Sequence, residues 1–445
     1  MFKRLLFLGA AVLASYGLGQ YVAHSGAPSW WPDRTRDQSV RYYREVMQLV
    51  QEGYVGEAPA DYAELTRAAL EGMVKTLDPH SQFLRADAFQ ETEDELTNAF
   101  GGVGIQVEQR DGQIVIVTPI AGTPAERAGM WRGDRLLQIN GAVLKNPTVD
   151  KIIKLVRGEP ETEVALTVFR PSQNRSLEFK LKRERIQLNS VRNAAHHAGG
   201  IGYLAITQFS ERTGDEFKAA LTGLEATGIR ALVIDLRNNP GGLLDAAIAV
   251  CNEFFERDEL IVYTQGRTPE SRENFKADGR HVRRTYPMAI LVNGDTASAA
   301  EIAAGAMKDT RRAFIVGEKT FGKGSVQSVM PLRQGEGLRL TTARYYTPSG
   351  ITIHERGITP QVELEIPAED EAKLRVQQTR LDLTADAEFQ ERWGFARIED
   401  WQLNAAEEVL AGCSWLRKND QLASHSLAER ACAPRLVSTT LTTHR

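Results

Sequence analysis

The chain has 445 residues, a length typical of about three domains. Its composition, 42% hydrophobic and 25% charged, excludes a wholly disordered, collagen-like or multi-spanning membrane protein. The net charge is −4, which argues against non-specific nucleic-acid binding because that requires a basic surface. Three cysteines are too few for a disulfide-dense scaffold or a zinc site of four thiolates.

The N-terminus has the layout of an export signal. A basic start, Met1–Arg4, precedes an uncharged apolar run from Leu5 to Leu18, which is shorter than the roughly 20 residues of a membrane span. We assign residues 1–23 to a signal peptide and expect a periplasmic protein; the cleavage site stays open between Ala14 and Ala23. An uncleaved anchor, which alone would bring membrane association, and a buried core helix are the alternatives.

Residues 24–100 are predicted to be a helical N-terminal region. Apolar residues recur at helical spacing from Val40 to Val50. A second helix is expected from an N-cap at Asp61 to Leu77, followed by a turn at 78–81 and a third helix from Asp87 to Phe100.

Residues 101–186 have the short alternating patterns of a small β-module. The pattern predicts strands at 105–108, 114–117, 136–139 and 164–169, and helices at 124–128 and 149–157.

Residues 187–365 alternate between strands and helices. Three continuous apolar runs, 231–234, 289–292 and 313–316, predict strands buried on both faces of a partly parallel sheet. In such a sheet the working site lies at the carboxyl ends of the strands. The predicted fold class is therefore multidomain α+β, with an α/β core of mixed sheet flanked by the β-module and by helical regions at both ends, the second spanning 366–445.

The three cysteines are predicted to lie in two different environments. Cys251 is predicted to be a buried core thiol on the helix after Gly242. Cys413 and Cys432 are 19 residues apart, and either a disulfide formed after export or two unpaired thiols fits that spacing.

Polar and glycine-rich segments follow the first two apolar runs. After the first comes 235–242, DLRNNPGG, whose paired glycines permit close backbone approach to a ligand; a simple tight turn is the alternative. After the second comes 293–301, which places Ser298 at the start of a helix. There the free N–H groups favour a developing anion, although Ser298 could also be only a helix cap.

The segment after the third run, 317–327, begins like a phosphate-binding loop. Gly324 stands where that motif needs a hydroxyl, and a strand follows where it needs a helix, so nucleotide binding is disfavoured. Lys323 between small residues can lose its charge by burial and become a general base. Gln327, four residues on, could accept a hydrogen bond from its ammonium group or simply lie on a polar strand face.

Other catalytic arrangements find no support in the sequence. Neither His281 nor His354 follows a strand end, and the GxSxG, HExxH and CxxC patterns are missing. We therefore expect no metal and no cofactor.

Taken together, these segments resemble the carboxyl-terminal processing proteases, serine proteases with a Ser-Lys dyad and an embedded PDZ domain. The resemblance runs from about Asp61 to Pro360. It depends on six segments in the family's order: LDPHS at 77–81, GVGI at 102–105, DLRNNPGG at 235–242, TASAAE at 296–301, FGKG at 321–324 and GITP at 357–360. One departure is Asp295–Thr296, where relatives commonly have Gly-Ser.

The resemblance implies site residues and partners. Ser298 would be the nucleophile, Lys323 the general base and Gln327 its orienting residue, with an oxyanion hole from Ala299 together with Gly242 or Gly241. The module 101–186 would be a PDZ domain whose loop Gly102, Val103, Gly104 and Ile105 binds flexible, apolar protein C-termini.

The same resemblance implies how the activity could be regulated and how the chain could assemble. The family places the PDZ domain where it obstructs or opens the catalytic groove, and some members engage an adaptor protein or form homo-oligomers through terminal helices. Apolar faces at 374–381 and 401–410 would serve assembly or pack on the core. The alternative function is a non-catalytic PDZ scaffold that binds tails without cutting them.

Overall fold

The computed structural model describes residues 34–56, 61–110, 112–280, 284–379 and 385–420. The predicted signal peptide, His281 and Cys432 lie outside these ranges, so the signal and the Cys413–Cys432 pairing stay predictions. In the described part of the chain, no helix is long and apolar enough to cross a membrane. The chain divides into two compact units after Phe83.

The first unit contains the two predicted helices, α1 (Arg34–Gly53) and α2 (Tyr62–Lys75). Asp61 is the N-cap of α2, and its side chain accepts a backbone N–H at 3.0 Å, as predicted. The predicted turn also forms, because the Asp78 carboxylate accepts the backbone N–H of Ser81 at 2.8 Å. A short strand, β1 (Gln82–Leu84), follows the turn.

The third predicted helix is shorter than expected. Helix α3 spans Ala86–Thr97 and ends at Asn98, whose left-handed backbone (φ 52°) turns the chain out of the helix. The residues after it form strand β2 (Ala99–Gly102), which pairs with β9 (Glu184–Gln187) in an antiparallel ribbon. The prediction of helix up to Phe100 was therefore wrong.

The β-module between these two ribbon strands has every element that its sequence predicts. Its sheet has the order β3-β4-β5-β7-β8, with β6 paired to β5. The strands are β3 (Ile105–Arg110), β4 (Gln113–Pro119), β5 (Arg135–Ile139), β6 (Ala142–Val143), β7 (Glu163–Arg170) and β8 (Arg175–Lys182), and the helices are α4 (Pro124–Arg127) and α5 (Val149–Val156). Strand β3 lies at an edge of this sheet, so one side of its backbone is open.

The central sheet of the core is mixed, as predicted, and its order is β10-β11-β12-β15-β16-β19. Strand β10 is antiparallel to β11, and the remaining neighbours are parallel. The strands are β10 (Val191–His197), β11 (Ile201–Ile206), β12 (Ala231–Asp235), β15 (Met288–Val292), β16 (Phe314–Gly317) and β19 (Val362–Glu363).

Helices cover both faces of this sheet. One face packs on α6 (Thr213–Ala226), α7 (Leu244–Asn252) and α8 (Ala299–Asp309). Cys251 lies fully buried on α7, as predicted, and burial raises the pKa of its thiol to about 12. Because this pKa keeps the thiol protonated at neutral pH, Cys251 is a core residue without nucleophilic character.

The opposite face packs on the C-terminal helix α11 (Trp401–Asp420). Ala406 and Leu410 are fully buried there against sheet residues such as Val233 and Leu291. Of the two roles considered for the apolar face 401–410, the structure therefore supports packing on the core. Two shorter helices precede it, α9 (Ala368–Thr379) and α10 (Asp386–Trp393).

Four more strands of the core form antiparallel pairs. Of these strands, the sequence analysis predicted only the one that begins at Ser325. Their order is β17-β18-β13-β14. The strands are β13 (Leu260–Gln265), β14 (Arg272–Lys276), β17 (Ser325–Pro331) and β18 (Gly337–Tyr346).

Candidate active site

The loops after β12, β15 and β16 meet at one edge of the central sheet and are tied together by hydrogen bonds. Asn238 donates its N–H to Asn293 Oδ1 at 2.9 Å, and Thr296 Oγ1 donates to the Leu236 carbonyl at 2.9 Å. The third loop joins through the Phe321 N–H, which donates to the Thr296 carbonyl at 3.0 Å. The Thr296 hydroxyl thus links two loops. Thr therefore still supplies a hydroxyl at the position where relatives commonly have Ser.

Ser298 occupies the N-cap position of α8 in an unusual backbone conformation, with φ 55° and ψ −118°. Such a conformation costs a non-glycine residue about 1–3 kcal/mol and persists only where neighbouring contacts hold it. Glu301 Oε2 supplies one such contact by accepting the Ser298 N–H at 2.8 Å. The chain therefore makes a sharp strand-to-helix turn, as in a nucleophile elbow, without the glycines of the GxSxG motif.

The glycine loop after β12 lies directly against Ser298. Gly241 has φ 98°, and a Cβ on it would lie 2.7 Å from Ser298 Cβ and 2.8 Å from the Ala299 nitrogen. Both the backbone conformation and the close approach require glycine. The paired glycines therefore bring the loop backbone against the start of α8.

The hydrogen bonds of this loop decide which amides remain free. Gly241 donates its N–H to Asn239 Oδ1 at 2.8 Å, so this amide is already engaged. Within the described part of the chain, the N–H groups of Gly242 and Ala299 donate to no acceptor. The expectation for Gly241 as an oxyanion donor is corrected on this geometry: its backbone shapes the site, and the free amides are those of Gly242 and Ala299.

Lys323 is half-buried and has a lowered pKa. Burial is the largest cause, and the positive charge of Arg339 lowers the pKa further, while Glu301 and Glu95 act in the opposite direction. Its ammonium group makes no hydrogen bond or ion pair to any residue that the structure describes. This environment favours the neutral amine more than water does.

Gln327 has a different hydrogen-bond partner from the one predicted. Its Nε2 donates to Ser325 Oγ at 2.7 Å, and no hydrogen bond joins it to Lys323 among the described residues. Ser325 lies two residues away on the same face of β17, which makes it a near acceptor for the amide. The expected contact between Gln327 and Lys323 is therefore not formed in this structure.

Glu301 is a site residue that the sequence analysis did not single out. It is fully buried, and its carboxylate accepts the backbone N–H groups of Ser298 and Lys323, each at 2.8 Å. It also accepts the Gly322 N–H at 2.7 Å and the Thr320 hydroxyl. Burial raises its pKa, and these four donors oppose the rise. The available signal was the S-x-x-E spacing of a capping box.

The predicted carboxylate-binding loop opens into a groove of about 970 Å³. Gly104 has φ 76°, and its carbonyl accepts the Thr123 hydroxyl at 3.2 Å. The open edge of β3 and helix α5 form two walls, and a segment at 187–193 forms a third. The apolar lining includes Val103, Ile105, Val107, Ile152, Ile153, Val156, Leu188 and Val191.

Comparisons with known proteins show which family this chain resembles. The model of "Peptidase family S41" matches residues 200–364, and that of "PDZ domain" matches 115–170. The "Carboxy-terminal-processing protease" of Bartonella bacilliformis is 35% identical over 93% of this chain and 96% of its own. The "Probable CtpA-like serine protease" of Staphylococcus aureus is 34% identical over 75% of this chain and 66% of its own.

A solved structure, the "photosystem II D1 C-terminal processing protease", is also similar. It is 30% identical, covers 73% of this chain and 92% of its own, and has a TM-score of 0.44.

Proposed function

Because the chain belongs to peptidase family S41 and carries a PDZ domain, we propose that it is an exported serine endopeptidase that recognises protein C-terminal tails and cleaves through Ser298 and Lys323. One observation carries the proposal: the Gly241 backbone lies against Ser298 and Ala299 at the start of a helix, and the amides of Ala299 and of the adjacent Gly242 are unengaged by the described residues. Two free donors at a positive helix end suit a developing oxyanion.

The proposed mechanism begins with neutral Lys323. Its amine removes the hydroxyl proton of Ser298 as Oγ attacks the scissile carbonyl carbon, and the carbonyl oxygen gains the negative charge. The Gly242 and Ala299 amides donate to that oxygen. The Lys323 ammonium then protonates the leaving amine, which departs as the C–N bond breaks. Water, deprotonated by Lys323, hydrolyses the acyl-enzyme in the same way.

Gln327 enters the proposal as the residue that directs Lys323. Its Nε2 is engaged by Ser325, and its Oε1 accepts no hydrogen bond from the described residues. In the proposed mechanism the Lys323 ammonium donates to that oxygen when the base is protonated. A neutral partner suits a lysine base, because a carboxylate would stabilise the charged form.

Tail recognition is assigned to the groove between β3 and α5. An extended peptide adds to the open edge of β3 by backbone hydrogen bonds, and apolar side chains enter the apolar lining. The amides of the Gly102–Ile105 loop would receive the terminal carboxylate. We assign the PDZ domain to residues 101–186 and the protease core to 187–365.

Export to the periplasm is proposed from the basic start and apolar run of residues 1–18. The same proposal includes activation by an adaptor protein and assembly into homo-oligomers through terminal helices. Both depend on the family resemblance, and adding a periplasmic extract to the assay below addresses activation by an adaptor.

The test is digestion of a loosely folded protein with an apolar C-terminus. The purified chain is compared with Ser298→Ala and Lys323→Ala, each with and without periplasmic extract, and fragments are identified by mass spectrometry. We expect the unaltered chain to cleave the substrate and neither variant to do so. Cleavage should be much slower when the C-terminal carboxylate of the substrate is amidated. Tail binding without cleavage in every condition would contradict the proposal and favour the scaffold function.

A further inference from the structure

Asp400 is a partly buried acid beyond the last residue of the matched family model. That model ends at residue 364, whereas Asp400 lies in the turn just before helix α11. Its side chain is 12% exposed, and both of its oxygens accept hydrogen bonds from Arg237, Nη1 to Oδ1 and Nη2 to Oδ2, each at 2.8 Å. The C-terminal region therefore reaches the loop that carries the paired glycines.

Arg237 is held between two carboxylates. Its side chain is only 4% exposed, and Asp235 accepts from Nε at 3.0 Å and from Nη2 at 2.7 Å. Asp235 belongs to the same strand end and moves with Arg237. Asp400 comes from a different part of the chain, with Gln402 accepting at 3.2 Å as a weaker neighbour. The bidentate contact with Asp400 is thus the external anchor of this side chain.

The position of Arg237 bears on the proposed oxyanion hole. Gly242 is five positions after Arg237, and the intervening loop is tied to the loop after β15 through Asn238 and to the end of β11 through Asn239. A guanidinium that loses Asp400 would leave buried donors without acceptors, and it would move toward other partners. The attached loop would then shift, and a displacement of about 1 Å at a catalytic donor is enough to cost ~100-fold in rate.

We infer that Asp400 is a positioning residue of the active site: it acts through Arg237 to hold the Gly242 amide where the oxyanion develops. The inference rests on the proposed function of Ser298 and of the Gly242 amide. It also gives the contact between the C-terminal region and the glycine loop a role in catalysis.

The first test compares Asp400→Asn with Glu399→Gln. Both changes remove one carboxylate charge from neighbouring positions, but Glu399 is exposed, and among the described residues its carboxylate accepts a hydrogen bond only from Asn404. We expect Asp400→Asn to lower kcat at least tenfold while KM stays within twofold, and Glu399→Gln to change neither. Equal effects of the two variants, or a change in KM alone, would overturn the inference.

A double-mutant cycle separates positioning from general destabilisation. Arg237→Lys removes the bidentate fork, so Asp400→Asn should change kcat less than twofold in that background. A purely structural role for Asp400 would instead give its full effect in both backgrounds. Rates are normalised to the folded fraction measured by circular dichroism, which corrects for unfolded protein without depending on the oxyanion donors.

A second readout does not require activity. Hydrogen exchange by mass spectrometry should show faster exchange in peptides that cover 236–243 of Asp400→Asn, with no change at 288–292 in the centre of the sheet. Unchanged exchange at 236–243 would overturn the inference even in an active enzyme. If the unaltered chain cleaves nothing, the proposed function fails, while the exchange result still decides whether Asp400 holds the loop.

Discussion

The carboxylate of Glu301 accepts the backbone N–H of Ser298 at 2.8 Å. A fully buried acid in the first turn of α8 thus holds the strained backbone of the residue at that helix's N-cap. The same carboxylate accepts the Lys323 N–H. The proposed nucleophile and base, 25 residues apart in the chain, are therefore anchored by one side chain.

Replacing this carboxylate should inactivate the site. In Glu301→Gln one oxygen and one NH2 group face four donors, so at least one buried donor loses its acceptor, at a cost of about 1–3 kcal/mol each. We expect a lower melting temperature and an approximately 100-fold slower turnover, about the size of effect known for misplaced catalytic groups. Melting is followed by circular dichroism. Unchanged turnover in the folded fraction would contradict the anchoring role.

The lowered pKa of Lys323 makes activity depend on pH in a defined direction. The base works only when neutral, so kcat/KM should rise with pH through the lowered pKa and then level off. Arg339→Gln removes a nearby positive charge, which raises the pKa of Lys323 and shifts this rise to higher pH. The measurement is a pH–rate profile on a short peptide substrate.

Glu95→Gln provides the control of opposite sign. Glu95 raises the pKa of Lys323, so its neutralisation should shift the rise of kcat/KM to lower pH. If both variants shifted this rise in the same direction, the rise would reflect the titration of a group other than Lys323.

Gly241→Ala should abolish activity while its control does not. The new methyl group would lie 2.7 Å from Ser298 Cβ at a backbone φ of 98°, so the loop and the start of α8 must separate. We expect turnover to slow by about 100-fold or more, because the nucleophile and the oxyanion donors lose their alignment. Gly223→Ala on helix α6, where a Cβ meets nothing within 4 Å, is the matched control and should leave turnover unchanged. Comparable losses in the two variants would refute the steric argument.

The groove assignment predicts a selective loss of tail binding. Ile153 lies on α5 and lines the groove, so Ile153→Glu would place a charge against the apolar side chains of a bound tail. We expect Kd for an apolar C-terminal peptide to rise at least tenfold, measured by fluorescence anisotropy. Leu155→Glu is the control, because Leu155 is 50% exposed on the same helix and does not line the groove. Equal weakening by both variants would place the tail elsewhere.

Local patterns explain how much of this site could be predicted. The strands before the three loops are continuous apolar runs, and Ser298 follows the second at the start of a helix, so the sequence alone indicates one shared edge. Glu301 escaped notice because its spacing from Ser298 is also that of an ordinary capping box. Its further contacts with Gly322 and Lys323 come from a loop that only the fold brings near.

The sequence by itself determined the order of the modules, the buried strands of the mixed sheet and the positions of Ser298 and Lys323, because apolar periodicity and glycine motifs are local properties of the chain. The tertiary structure decided three further points: that Asn239 engages the Gly241 amide, that Gln327 turns toward Ser325, and that α11 packs on the sheet. Each of these is a competition among several donors, acceptors or apolar surfaces. Its outcome depends on which distant groups the fold brings within contact distance.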